Sequence, residues 1–276
     1  MARLEIDVCP NPVFVVGSPR SGTTALAFAL GRHPDLFTSD ESQILVDLFF
    51  KGALDRNHAR EGSSWLHKQG IAPEAFLADL GLGLNRLFTR VAGGKRWVDH
   101  TPRHTLMLQW LPAMFPGARF VHILRDGRRV VHSMVNFGSR LGGEELPWWA
   151  TDFTKACRTW ARFAAAADEY THCHPERGLT VRNEDLVADP AGGFRRLLAF
   201  LEAEDHPAPA AFFAENRVNS SFGPTDQGRG AAARALTDPW AEWDQEQRRT
   251  FARVAGPTLL ALGMARPEDL APYAAG

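Results

Sequence analysis

The sequence has few of the residues that mark several common protein classes. Its 276 residues include three cysteines, Cys9, Cys157 and Cys173, which are far apart and form no C-x-x-C pair. This odd and scattered set is typical of a protein from a reduced compartment. Residues 1–9 carry acids and lack the apolar stretch of a signal peptide, and no apolar run approaches 18 residues. We therefore expect a cytoplasmic protein with no membrane partner.

An excess of charge of one sign is also lacking. The 31 lysines and arginines nearly balance 32 aspartates and glutamates, which gives a formal net charge of −1 at pH 7. Such a chain has no global attraction for nucleic acid or for an anionic membrane, so any anion site must be built locally. Hydrophobic residues make up 45% and charged residues 23% of the chain, which are ordinary values for a globular protein with a sizeable core.

Strand patterns alternate with helix patterns along the chain. Short apolar runs predict strands at 12–17, 96–98, 118–124 and 179–182. Helical spacing of apolar residues predicts helices at 22–32, 73–91, 126–137, 148–170 and 190–201. This alternation predicts an α/β fold in which helices flank a parallel sheet on both faces.

One domain over residues 1–276 is the economical interpretation of this pattern. The α/β core is expected at 12–203. The next segment, 204–245, is rich in Pro, Gly and Ser, so we expect it to wrap the core as a functional loop that covers a ligand. A final helix is expected at 246–263.

The first strand leads into the sequence GSPRSGTT at 17–24. A strand-to-helix turn of this kind points backbone N–H groups and a helix N-terminus at one spot, which suits an anion. Gly17 and Gly22 have the spacing of a phosphate-binding loop, but Thr23 stands where an NTP-binding loop has its lysine. The loop is thus P-loop-like, and Arg20 supplies a fork of donors. Further anion-binding candidates in this loop are Ser21, Gly22, Thr23 and Thr24.

A second strand-to-helix unit contains the sequence VHILRDGR at 121–128. It puts Arg125 at the carboxyl end of its strand, which is the edge where open α/β sheets collect their ligands. Ser133 lies two helical turns further and is expected to face the same groove. Anion sites near Arg20 and Arg125 together suit a nucleotide that carries phosphates at both ends.

These motifs resemble those of sulfotransferases that use 3′-phosphoadenosine 5′-phosphosulfate (PAPS), over about residues 12–262. The chain looks most like the tyrosylprotein branch and its bacterial small-molecule relatives. The resemblance implies the sulfotransferase fold, binding of the 5′-phosphosulfate by the loop 17–24, and binding of the 3′-phosphate by Arg125 and Ser133. It also implies that Arg229, in the loop 220–235, covers the 3′-phosphate, that PAP is released, and that no metal is needed.

The same resemblance implies where the acid–base chemistry lies. Glu41 falls on the general base of the tyrosylprotein branch, and His100 takes the position where that branch has a lysine and the cytosolic branch a histidine. Two assignments stay open: Glu41 is the base while His100 polarises the reacting group, or the roles are exchanged. His104, one turn further, is expected to support them. Asn183 departs from the tyrosine that is usual in the family at that position.

The tyrosylprotein branch is membrane-anchored and disulfide-bonded, and we expect neither of this chain. Its acceptor is therefore expected to be a small molecule with a hydroxyl group. Trp148 and Trp149 are candidates for lining its pocket, with Trp65 and Phe137 as weaker ones, whereas Trp160 is expected in the core. Two other functions remain open. An ATP-dependent kinase would need the missing loop lysine, and a non-catalytic PAP-binding module would not need Glu41 and His100.

Overall fold

Five short parallel strands form one sheet in the computed structural model, which describes residues 7–50, 65–140, 147–149, 152–215 and 239–274. The strands stand in the order β2-β3-β1-β4-β5, and all four neighbouring pairs are parallel. The strands are β1 (Val13–Val16), β2 (Leu36–Thr38), β3 (Arg96–Asp99), β4 (Arg119–Leu124) and β5 (Gly178–Arg182). β1 therefore lies in the middle, with β3 on one side and β4 on the other.

Both faces of the sheet are buried, as expected of parallel strands. Successive side chains of a strand point to opposite faces, so Phe14 and Val16 pack in one core cluster while Val13 and Val15 pack in another. This two-sided burial explains why β1 is an unbroken apolar run rather than an alternating one. The predicted α/β class, with helices on both faces of a parallel sheet, is confirmed.

The helices are numbered in chain order. They are α1 (Thr23–Leu30), α2 (Ile44–Phe50), α3 (Trp65–Lys68), α4 (Pro73–Val91), α5 (Leu111–Met114), α6 (Gly127–Arg140), α7 (Phe153–Cys173), α8 (Asn183–Ala188), α9 (Pro190–Phe200), α10 (Pro207–Glu215), α11 (Pro239–Glu242), α12 (Gln245–Val254), α13 (Gly256–Ala261) and α14 (Pro267–Ala274), with a 3₁₀ helix at Pro102–Met107. None of the helices in the described ranges is long and apolar enough to cross a membrane.

Several sequence predictions of element bounds were wrong. The helix expected from 148 begins at Phe153, because the Asp152 side chain accepts a hydrogen bond from the Lys155 amide and caps it there. The final helix expected at 246–263 is two helices, α12 and α13, and the second starts with Gly256 and Pro257. Proline lacks the N–H that a continuous helix would need at that point.

The segment 204–245 is not a plain loop, since it contains α10 and α11. The predicted covering loop at 220–235, with Arg229, lies outside the described residues. β2 was not predicted, because Leu36–Thr38 is only three residues long and carries too short a pattern to recognise.

Helices α4 and α5 approach each other so closely that a glycine is required between them. A Cβ atom on Gly81 would overlap the backbone of Met114. Gly83, two residues along α4, has no atom within 4 Å of an added Cβ and is exposed. One glycine of α4 thus makes room for packing, while the other only lowers helix propensity.

We predict that Gly81→Ala and Gly83→Ala change stability in opposite directions. Overpacking at Gly81 should lower the free energy of unfolding by about 1–3 kcal/mol. Gly83→Ala should raise it by up to about 1 kcal/mol, because alanine is the better helix former. Urea unfolding of the two variants measures both changes. A Gly81→Ala variant as stable as the wild type would contradict the described packing.

Candidate functional site

The carboxyl ends of β1 and β4 lie side by side, with Val16 paired to His122. The backbone of Gly17 adopts a φ of 150°, and a Cβ atom there would come within 2.7 Å of the carbonyl oxygen of Ile123. Thr105 holds the same residue, because its hydroxyl accepts from the Gly17 amide at 2.8 Å and lies 3.1 Å from the Gly17 carbonyl oxygen. The two strand-to-helix turns therefore begin next to each other.

The turn after β1 is held by its own backbone. The amide and the hydroxyl of Ser21 both donate to the Ser18 carbonyl, at 3.0 and 2.7 Å. Arg20 and Gly22 have positive φ values, 70° and 110°, and for arginine this backbone conformation is uncommon. α1 then starts at Thr23 with no side-chain cap. The first amides of α1, those of Thr23 and Thr24 among them, are the N-terminal donors that suit an anion.

Three predicted cofactor residues meet beside this turn. The Arg20 Nε donates to Ser133 Oγ at 3.2 Å, and Arg125 Nη1 donates to the Arg20 carbonyl at 3.0 Å. The Arg125 carbonyl in turn accepts from the indole N–H of Trp160 at 3.2 Å. Trp160 is 1% exposed, which agrees with its expected core role. Two guanidinium groups thus share one small region next to the N-terminus of α1.

Asn183 also touches this turn. A Cβ atom on Gly22 would lie 2.8 Å from the Asn183 side-chain nitrogen. The side-chain amide of Asn183 thus lies directly against the loop, at the position where sulfotransferases usually have a tyrosine. The start of α8 therefore contacts the loop 17–24, although the two segments are far apart in the sequence.

Glu41 and His100 lie on the same side of the sheet, after β2 and β3. Burial raises the pKa of Glu41, whereas the charge of His100 lowers it, and the charge of Asp99 raises it again. Gln43 donates to one Glu41 oxygen at 2.9 Å. Glu41 therefore lies within electrostatic reach of His100, and its carboxyl holds a proton more readily than an ordinary glutamate.

His100 is 2% exposed, and its Nε2 lies 3.0 Å from the Ser39 carbonyl oxygen. A carbonyl oxygen only accepts, so Nε2 must carry the hydrogen. In the neutral ring Nδ1 then bears the lone pair. Within the described part of the chain, this buried Nδ1 has no hydrogen-bond partner. The neutral histidine thus offers an acceptor rather than a donor at Nδ1.

A buried aspartate organises this side of the site. Asp99 Oδ1 accepts from the Thr101 amide at 2.8 Å, and Asp99 Oδ2 accepts from the Ser42 hydroxyl at 2.8 Å. The Nδ1 atom of His104 lies 2.8 Å from Asp99 Oδ1. Burial raises the pKa of Asp99, but the charge and hydrogen bond of His104, with the bonds from Thr101 and Ser42, lower it well below its ordinary range. Asp99 is therefore a carboxylate at neutral pH.

Sequence reasoning missed part of this arrangement. No role was predicted for Thr105 or Ser42. Thr105 holds the loop 17–24 at Gly17, and Ser42, the residue after Glu41, donates to Asp99. Their hydroxyls carry no motif, so only the folded contacts reveal them. The aromatic residues predicted to line the acceptor pocket differ in their surroundings. The ring centres of Trp149 and Phe137 lie 5.4 Å apart and those of Trp148 and Phe163 lie 5.8 Å apart, both in stacked pairs. Trp65, in contrast, is 65% exposed.

Comparison with known proteins identifies relatives of this chain. A family model described as "Sulfotransferase family" matches residues 12–207. Protein-tyrosine sulfotransferase 1 of Danio rerio is 29% identical over 192 residues, which cover 68% of this chain and 52% of the relative. The chain thus matches only about half the length of this curated relative.

Solved structures share the fold at low sequence identity. The sulfotransferase domain from the curacin biosynthetic pathway has a TM-score of 0.55 at 18% identity, with 94% of this chain and 99% of that domain covered. Mouse sulfotransferase SULT7A1, solved in complex with PAP, has a TM-score of 0.51 at 14% identity, with 98% of this chain and 90% of that chain covered. The predicted sulfotransferase fold is confirmed.

We predict that Asp99→Asn lowers the free energy of unfolding by about 3–5 kcal/mol, because it breaks a buried charged contact and leaves partners unsatisfied. The folded-state pKa of Asp99 is lowered, so its stabilising contribution is complete at pH 7 and is lost only as the pH falls through that lowered value. Urea unfolding at pH 7 measures the loss.

Glu202→Gln is the matched control for Asp99→Asn. Glu202 pairs with Arg119 on the surface, with 67% of its side chain exposed, so its removal should cost less than about 1 kcal/mol. Equal effects of the two substitutions would mean that the Asp99 cluster does not stabilise the fold.

Proposed function

The chain belongs to the sulfotransferase family, and we propose that it transfers the sulfonyl group of PAPS to the hydroxyl of a small-molecule acceptor and releases PAP. One arrangement supports this function above all. The turn 17–24 and the Arg125–Ser133 unit share one edge of the sheet with the electrostatically linked pair Glu41 and His100. Donors for a doubly phosphorylated nucleotide therefore lie near a carboxylate and an imidazole.

In this proposal the nucleotide is held by two groups of donors. The turn amides and Arg20, together with the hydroxyls of Ser21, Thr23 and Thr24, receive the 5′-phosphosulfate. Arg125 and Ser133 receive the 3′-phosphate, and Arg229 covers it. The 3.2 Å bond between Arg20 and Ser133 supports a single continuous anion surface. The PAP complex of the fold relative SULT7A1 agrees with this choice of nucleotide.

Glu41 acts as the general base that takes the proton of the acceptor hydroxyl. Its raised pKa supports this role, because a general base works best when its pKa approaches the working pH. The deprotonated oxygen then attacks sulfur in line with the bond to the departing phosphate. Negative charge that builds on this phosphate is stabilised by Arg20 and by the N-terminal amides of α1.

His100 is assigned the role of proton relay. Its Nε2 hydrogen is committed to the Ser39 carbonyl, so the neutral ring has no proton at Nδ1 with which to polarise the reacting group. The Nδ1 lone pair instead accepts the proton that Glu41 has taken. This assignment keeps Glu41 as the base, as in the first of the two alternatives, but gives His100 a relay role in place of the polarising one. Asp99 and His104 hold the segment that carries His100.

The two other candidate functions have less support. A kinase would bind ATP with a loop lysine, but Thr23 stands at that position. A non-catalytic PAP-binding module has no need of a half-buried carboxylate whose pKa is raised, beside a histidine whose Nδ1 has no partner among the described residues. Thermal stabilisation by PAP without Mg²⁺, with none from ATP and Mg²⁺, would separate the proposed function from the kinase, and turnover would separate it from the module.

We predict that Arg125→Ala weakens PAP binding by about 10- to 150-fold, because one charged hydrogen-bonding group is lost. Arg20→Ala should impair turnover more than PAP affinity. Calorimetric titration with PAP gives both dissociation constants. Arg158→Ala is the control, since Arg158 is exposed on α7; its PAP affinity should equal that of the wild type. Unchanged affinity in Arg125→Ala would overturn the assignment of Arg125.

We predict that Glu41→Gln lowers kcat by about 10²- to 10⁴-fold on an alcohol acceptor, with PAP affinity unchanged, because only the basicity is removed. In the wild type, activity should fall as the pH drops through the raised pKa of Glu41, so the acidic limb lies above the ordinary glutamate range. The pH–rate profile of the two proteins measures this limb.

His100→Gln distinguishes the two assignments of the base. If Glu41 is the base, the acidic limb should persist in His100→Gln and disappear in Glu41→Gln. The reverse pattern would identify His100 as the base. A weakly acidic alcohol is the correct acceptor for this test, because a phenol that ionises easily needs less help from any base.

A further inference from the structure

Two arginines beside the proposed site lie over aromatic rings of one group, formed by Phe137, Trp149 and its sequence neighbour Trp148. At one end the Arg20 guanidinium lies over the Phe137 ring, 5.1 Å from its centre, and Phe137 stacks on Trp149. At the other end the Arg103 guanidinium lies over the ring of Trp148, 4.7 Å from its centre. Arg20 belongs to the loop 17–24, so Phe137 adjoins the loop that is proposed to bind the sulfonyl donor.

Arg103 follows His100 by three residues. It lies in the 3₁₀ helix that starts at Pro102, and the turn is closed by the His104 amide donating to the Thr101 carbonyl at 3.0 Å. The neighbouring His104 contacts Asp99. The backbone of Arg103 is therefore positioned by the same cluster that carries His100, and its side chain is half-buried.

The charge of Arg103 is not matched by an acidic side chain within the described ranges, where no carboxylate comes within 4 Å of its guanidinium. The guanidinium carbon lies over the Trp148 ring at 4.7 Å from its centre, which is a cation–π contact. A cation–π contact does not use the N–H donors of arginine, and these donors form a fork that matches a carboxylate. Trp148 is itself held by stacking on Phe163 at 5.8 Å.

We propose that Arg103 is a specificity-determining residue that binds a carboxylate on the acceptor, while the neighbouring aromatic side chains of Phe137, Trp148 and Trp149 contact its apolar body. This inference rests on the proposed function of the site. It defines the acceptor class as an aryl compound with a hydroxyl at one end and a carboxylate at the other. Arg103 acts in binding and orientation and takes no part in proton or sulfonyl transfer.

The test uses acceptor pairs that differ only in charge, namely ω-(4-hydroxyphenyl)alkanoates with side chains of increasing length and their amides. The alkyl spacer keeps the acidity of the phenol equal within a pair. The wild type should bind and sulfonate the carboxylate about 10- to 150-fold better than the amide in at least one pair. Arg103→Gln should remove this preference and change kcat/KM for the amide by less than about threefold. Arg103→Lys should retain part of the preference for the carboxylate.

Calorimetry with the same compounds, with and without PAP, keeps failure of this inference distinct from failure of the proposed function. Carboxylate binding that needs Arg103, without sulfonyl transfer from PAPS, would overturn the function and leave the subsite. A wild type without carboxylate preference in any pair would overturn the subsite, as would an Arg103→Gln variant that loses both members of a pair equally. Thermal unfolding and PAP affinity of the variants should match those of the wild type.

Discussion

The close approach of β1 to β4 at Gly17 is the constraint on which the rest of the site depends. A side chain at this residue would meet the Ile123 carbonyl oxygen, so only glycine lets the two strands end together. Thr105 then bonds both the amide and the carbonyl of Gly17. Because the first turn is fixed against the second strand, Arg20 can reach Ser133 and Arg125 can support the Arg20 carbonyl.

Asp99 plays the corresponding part on the other side of β1. A buried carboxylate is costly unless it is paired and fully hydrogen-bonded, and Asp99 recruits Ser42, Thr101 and His104 for this purpose. Two of these partners adjoin proposed functional residues, since Ser42 follows Glu41 and Thr101 follows His100. Satisfying one buried charge thus brings the segments that carry Glu41 and His100 to the same place.

The electrostatic character of the site is local. With a net charge of −1, the chain as a whole provides no positive field, yet Arg20 and Arg125 meet where the two turns lie side by side. On the opposite side burial keeps Glu41 basic while Asp99 stays ionised. The pKa values of Glu41 and Asp99 thus shift in opposite directions, because Asp99 has charged and hydrogen-bonding partners that outweigh its burial.

The sequence by itself determined the α/β class, helix α4 at Pro73–Val91 and the two strand-to-helix turns after β1 and β4, because apolar periodicity, proline positions and strand-to-turn motifs are local properties. It could not determine where α7 begins, the break before Gly256, or the three-residue strand β2. The start of α7 depends on the cap by Asp152, the break depends on Pro257, and β2 depends on its pairing with β3. Only the tertiary structure decided that Thr105 holds Gly17, that Asn183 lies against Gly22 and that the Arg103 guanidinium lies over Trp148. Contacts between residues distant in the chain are specified by packing and leave no local signal.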